Sequence, residues 1–210
     1  PLLAWVSNLV ASLFHDSSNI SGPTVVVRRT PTLRTLRMRQ ADYLNKTAGL
    51  SYSWSWDRHG MDIVNVQGLV VRSIIITETG GNVMSIGNES PMRTRDVTIT
   101  NCTLDQGFSQ GLSIYGGTNI RVEDTLISNC NGTDPVDAID IEPGTDKQEL
   151  ANIRISRVHA VNNSGWAFSM YLLECGVACG GKPVDVAFED CSVSGGGGGF
   201  GEGGGGGEGS

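Results

Sequence analysis

Five carboxylates crowd one short stretch of the chain: Asp134, Asp137, Asp140, Glu142 and Asp146. Carboxylate pairs break glycosidic bonds, one protonating the leaving oxygen while the other activates water. Asp140 and Glu142 are two apart, so on a strand they face the same way, ~6.6 Å apart at the backbone. That is near the ~6.5–9.5 Å separation of inverting hydrolases. Asp137 lies three before Asp140, which changes face unless a bend intervenes. Crowded carboxylates repel, so at least one should have a raised pKa unless a cation neutralises them. Three readings of Asp137, Asp140 and Glu142 stay open. They are catalytic, or they form a Ca²⁺ site, or they cap turns and face solvent.

Aromatic residues offer the complementary contacts. Tyr115, Trp166 and Tyr171 can stack on sugar rings, and His59 can serve as a base, a sugar contact or a turn residue. His159 sits between apolar Val158 and Ala160 and should point outward. Arg28, Arg29, Arg34, Arg37 and Arg39 form a basic stretch that pairs with the acidic remainder or meets an anionic glycan. Cys102, Cys130, Cys175, Cys179 and Cys191 show no CxxC pair and no zinc-type Cys/His spacing. A bridge between Cys175 and Cys179 within a loop stays open.

The elements that must position these groups repeat along the chain. One template, apolar-x-apolar-x-x-apolar-x-apolar, occurs at Leu69–Ile76, Val97–Leu104, Ile120–Ile127, Ile153–Ala160 and Val186–Val193. Its central doublet is polar each time: Arg72-Ser73, Thr100-Asn101, Glu123-Asp124, Ser156-Arg157 and Glu189-Asp190. Strand-like alternation broken by a polar doublet predicts two short strands joined by a bend. A second template precedes each copy: HGMDI, NVMSI, QGLSI, DAIDI and WAFSM, at steps of 23, 28, 27 and 29 residues. Three short strands per repeat, with no helical period, predict a right-handed single-stranded parallel β-helix of at least five coils. Stacking aligns Asp62, Ser85, Ser113, Asp140 and Ser169 in one outward column. Asp62 then lies three coils, roughly 14 Å, from Asp140, too far to be its partner. Cys102 and Cys191 share an inward column at the same spacing, beyond the ~7 Å reach of a disulfide. The connections at 87–96, 142–152 and 171–185 should leave one edge and wall a cleft.

Composition frames this architecture. Residues 59–194 form the β-helix. Residues 1–58 form an N-terminal cap with possible degenerate coils, and PLLAWVSNLVASLF covers the open end. Residues 195–210 hold 12 glycines and read as a flexible tail. The net charge is −7, with seven Lys or Arg against three acids in residues 1–60 and eight against nineteen thereafter. An acidic majority opposes nucleic acid as a partner. No run of 18 apolar residues exists to span a membrane. The chain opens on Pro1, which predicts a fragment or processed product with any targeting signal removed. Sequons at Asn19, Asn45, Asn88, Asn101, Asn131 and Asn162 permit a secreted glycoprotein.

The segments WDRHGMDI, NVQGLVVRSIIITETGGNVMSI, QGLSIYGGTNIRVEDTLISN and DPVDAIDIEPG resemble the right-handed β-helix repeats of the pectate-lyase-like superfamily, over about residues 56–194. Asp137-Ala-Ile-Asp140 resembles the Asp-Gly-Ile-Asp part of the polygalacturonase motif, with Pro135-Val136 where that motif has Asn-Thr. The resemblance implies an extracellular or cell-surface protein acting on a polysaccharide as hydrolase, lyase or epimerase. The alternative is a non-catalytic module that binds glycan or scaffolds a surface. No cofactor beyond Ca²⁺ is expected.

Overall fold

The computed structural model describes residues 34–37, 58–88, 93–145, 147–172 and 184–202. Of these, 34–37 are described by backbone alone. The expected helix or strand at 1–14, the Cys175–Cys179 bridge and Asp146 lie outside the described residues. So do most of the basic stretch and the sequons at Asn19 and Asn45.

One strand, β1 (Arg34–Arg37), comes first and pairs in parallel with β4 (Ile74–Thr79). The coils then follow one template. β2 (Met61–Val64), β3 (Gln67–Arg72) and β4 (Ile74–Thr79) make the first. β5 (Met84–Gly87), β6 (Arg95–Thr100) and β7 (Thr103–Gly107) make the second, and β8 (Leu112–Ile114), β9 (Gly117–Glu123) and β10 (Leu126–Ser128) the third. β11 (Ile139–Ile141), β12 (Leu150–Ser156) and β13 (His159–Val161) form the fourth. β14 (Trp166–Met170), β15 (Val186–Glu189) and β16 (Ser192–Ser194) form the fifth, and β17 (Gly198–Glu202) opens a sixth. Every pairing is parallel, and each strand pairs with the strand three places on. The result is a right-handed parallel β-helix of three sheets.

The repeat templates set the register. Met61, Met84, Leu112, Ile139 and Phe168 align in one column. Leu69, Val97, Ile120, Ile153 and Val186 align in another. Ile76, Leu104, Ile127, Ala160 and Val193 align in a third. Their middle members are completely buried, so the coils share one continuous core. No coil could bury this surface alone, which is why the repeat stacks.

The polar doublets turn the corner between sheets. The second residue of each is left-handed: Ser73 (φ 54°), Asn101 (53°), Asp124 (49°), Arg157 (52°) and Asp190 (52°). One such residue per coil bends the chain without interrupting pairing, because its N–H still reaches the next coil, as Asn101 N–H does to Glu123 O at 3.2 Å. A second left-handed column, Gly68, Asp96, Asn119 and Asn152, lies within the β3, β6, β9 and β12 strands. There Asn152 Nδ2 donates to Asn119 Oδ1 and Asn119 Nδ2 to Asp96 Oδ1, both at 2.8 Å. Asn and Asp tolerate this conformation best among residues with side chains.

Cys102, Cys130 and Cys191 form no disulfide, and Cys102 and Cys191 occupy the separate stacked positions expected of them. His159 is exposed, with Nδ1 2.6 Å from Ser192 Oγ. Part of the glycine-rich end is built into the stack where composition suggested a flexible tail, while residues 203–210 lie outside the described residues. Residues 198–202 pair in register with β14, and the Trp166 ring lies across Gly198 and Gly201, where a Cβ would come within 2.4 and 2.7 Å of it. Backbone pairing and an aromatic cover order a segment with few side chains of its own.

Candidate functional site

The outward face of the β17-β14-β11-β8-β5-β2 sheet carries the candidate site. Above it lies a cleft of about 820 Å³. Among the described residues, Asp62, Val64, Asn82, Gln110, Ser113 and Tyr115 form its floor. Glu142, Gly144 and Gln148 line one wall, and Ser109, Thr133, Asp134 and Pro135 line the other.

The first wall belongs to the 142–149 connection, one of the long loops expected to enclose a cleft. It is fastened across coils. Arg93 pairs with Glu149 at 2.6 Å, and Gln148 Nε2 donates to Asn88 O at 3.4 Å. The second wall rises from the opposite edge, and loop-length reasoning did not single it out. Between β10 and β11 the chain runs ten residues (129–138), where three other coils use four (80–83, 108–111 and 162–165). It folds back on the preceding coil: Thr133 N–H donates to Phe108 O at 2.8 Å, and Ser109 Oγ lies 3.3 Å from Pro135 O.

The expected site residues divide into three groups. Tyr115 and Glu142 line the cleft. The Tyr115 ring lies directly over Gly87, where a Cβ would come within 1.9 Å of it. Gly87→Val is therefore expected to lift the ring. Titrating tyrosine fluorescence with a bound oligosaccharide would show weakened binding in a protein with the parent melting temperature. Unchanged binding would remove Tyr115 from the site.

Asp137 and Asp140 are buried just beneath the floor, at 1% and 0% exposure. A chain of hydrogen bonds holds them. Ser109 Oγ–H donates to Gln110 Oε1 at 2.9 Å, which turns Gln110 Nε2 towards Asp140 Oδ2 at 3.2 Å. Ser169 Oγ lies against Asp137 Oδ2 and 3.3 Å from Asp140 Oδ1, and the Trp166 N–H donates to Asp137 Oδ1 at 2.6 Å. Burial raises the Asp137 carboxyl, against the bonds from Ser169 and Trp166. Burial, then the charges of Glu142 and Asp137, push Asp140 up to about 8. A hydroxyl has one proton to give. If Ser169 gives it to Asp137, its contact with Asp140 is satisfied when Asp140 is protonated.

Asp140 and Glu142 lie within hydrogen-bonding range of one another. Their carboxyls are therefore much closer than the water-wide gap that inversion needs. Glu142 follows the end of β11, and its side chain turns towards Asp140. Glu142 is exposed and Asp140 is not, so of the two carboxyls Glu142 is the one open to the cleft.

The third group stands away from the described cleft lining. His59 is buried, and its Nδ1 accepts the Asn82 N–H at 2.9 Å, clipping the first coil to the second. Trp166 is 42% exposed and covers the glycines of β17. Tyr171 is partly buried. Its phenol is raised by burial and then by Asp137, Asp140 and Glu142, so it sits beside the carboxylates without lining the cleft.

Asp62 is the unforeseen member. It shares the Asp140 column in the predicted register and lines the cleft at its far end. Surrounding protein raises it to about 6, against a hydrogen bond from Ser85. Distance had ruled it out as a partner of Asp140, but not as a separate cleft carboxylate. Among the described residues no three His, Cys, Asp or Glu side chains converge as a metal-binding group, and no helix is long and apolar enough to cross a membrane. Comparisons with protein-family models, with curated proteins and with solved structures returned no match.

Proposed function

We propose that the protein is polysaccharide-active, binding a glycan along the outer face of its β-helix and acting on it through Glu142 with Asp140 behind. One observation carries this reading: a walled cleft with Tyr115 on its floor and Glu142 on its wall, backed by the buried Asp140 carboxyl, which is raised to about 8. Sugars need hydroxyl partners and ring-face contacts, and this surface supplies both. A carboxyl still protonated near pH 7 is what a general acid requires. The stacked coils and the Asp137-Ala-Ile-Asp140 segment support kinship with the pectate-lyase-like superfamily, and with it an extracellular or cell-surface setting. Asn101, Asn131 and Asn162 are exposed and suit glycosylation, whereas Asn88 is 3% exposed and does not.

A second reading is a glycan-binding or scaffolding module without catalysis. The contact between Asp140 and Glu142 favours it, because no water fits between them. A depolymerisation assay with parent and Glu142→Gln proteins separates the two. Catalysis predicts a loss of about 10²–10⁴-fold in turnover with binding retained. Binding without turnover in the parent selects the second reading. A parent that neither binds nor cleaves any glycan overturns both.

A further inference from the structure

Resting on the glycan-binding reading, we propose that the cleft takes a chain of uncharged sugars and excludes polyuronates, with the Ser113 hydroxyl as a central contact. Ser113 is 8% exposed and lines the cleft floor. It stands between Ser85 and Asp140 in the outward column. Its neighbours in that column are satisfied within the protein. Ser85 Oγ accepts from Asn82 Nδ2 at 3.2 Å, and Ser169 lies against Asp137 and Asp140. Among the described residues no protein group hydrogen-bonds the Ser113 hydroxyl. The residue is largely covered by protein and opens onto the cleft, so a partner for its hydroxyl arrives from that side. A sugar hydroxyl both donates and accepts, as a serine hydroxyl does.

The charge of the lining selects among sugars. Asp62, Asp134 and Glu142 face the cleft, and its described lining includes no Lys, Arg or His. Arg93, in the neighbouring wall, is paired with Glu149. A polyuronate brings one carboxylate per ring into this negative groove, where like charges oppose binding. Uronate elimination and epimerisation also remove a proton beside the sugar carboxylate, which calls for a cation to neutralise that group. The cleft therefore suits hydrolysis or retention of uncharged chains, whose hydroxyls donate to Asp62 and Glu142 while a ring face meets Tyr115.

The test is isothermal titration of the whole chain at pH 7 and low salt. The probes are uncharged β-1,4-linked glucan, mannan and galactan oligomers, and galacturonate and guluronate oligomers of matched length. The expected result is binding by at least one uncharged oligomer and none by the uronates. Ser113→Ala should weaken the uncharged ligand about 3- to 10-fold, the worth of one hydrogen bond. Asp62→Asn/Asp134→Asn should begin to admit the uronates. Uronate binding by the parent that is lost in Tyr115→Ala overturns the selectivity and leaves the glycan reading standing. An unchanged affinity in Ser113→Ala overturns the role of that hydroxyl. No binding by any oligomer overturns both the selectivity and the reading beneath it.

Discussion

Ile99→Asp and Val122→Asp are each expected to abolish the folded state. Both residues are completely buried, on paired strands of one sheet. An aspartate there places a carboxylate among aliphatic side chains with no partner. The cost is several kcal/mol, set against a total stability of about 5–15 kcal/mol. Among the described residues the coils share one continuous core, and each coil is held by its neighbours. Arg121→Asp is the control: it sits one residue before Val122 and faces outward. Its effect is expected to stay within about 0.5 kcal/mol. Thermal melts followed by circular dichroism decide the matter. A parent-like melting temperature in either core variant would refute the inward columns.

The second large effect is a loss of stability as pH rises, traced to Asp140. Its carboxyl titrates at about 8 in the fold, against an ordinary value near 4 in the unfolded chain. The folded protein therefore holds the extra proton between those values. This contribution is fully present below about pH 4, declines through the window and levels off above about pH 8. Asp137 and Asp62 are raised too and act in the same direction. Asp124 and Asp185, lowered by their arginine partners, act oppositely, but both are exposed and screened. Asp140→Asn imitates the protonated carboxyl: its oxygen can accept from Gln110, and its amide can face Ser169 and Glu142. The variant is expected to flatten the decline and to exceed the parent above pH 8 by a few kcal/mol. Urea midpoints measured from pH 4 to pH 9 test this. An equally steep decline in Asp140→Asn would place the proton elsewhere.

The repeat was legible because it is written in side chains. Alternation named the inward columns, and the polar doublets marked corners at the very residues that take left-handed conformations. The site was only partly legible, for two physical reasons. First, spacing along a strand fixes backbone separation but not where flexible side chains meet, so Asp140 and Glu142 converged unannounced. Second, the step between copies conceals how a coil distributes its length. The third coil takes 27 residues, an unremarkable number, yet it pairs a two-residue corner (115–116) with the ten-residue loop 129–138. Aligning each corner separately would have exposed the second wall. His59 and Trp166 were candidates by residue type, but they serve the backbone around them: one accepts an N–H, and the other roofs two glycines.

That roof also bears on how the molecule opens. β17 joins the stack through main-chain bonds to β14, and of its residues only Phe200 adds a large apolar side chain, itself 65% exposed. In a chain of nearest-neighbour couplings, a link that buries little is a weak one. The solenoid should therefore open first at this seam. Its sixth turn detaches and reseats on a shorter timescale than the buried middle, and each release uncovers the indole of Trp166. With Trp5, Trp54 and Trp56 replaced by phenylalanine, the fluorescence of Trp166 would report on the fraying of one strand while the rest of the stack stays closed.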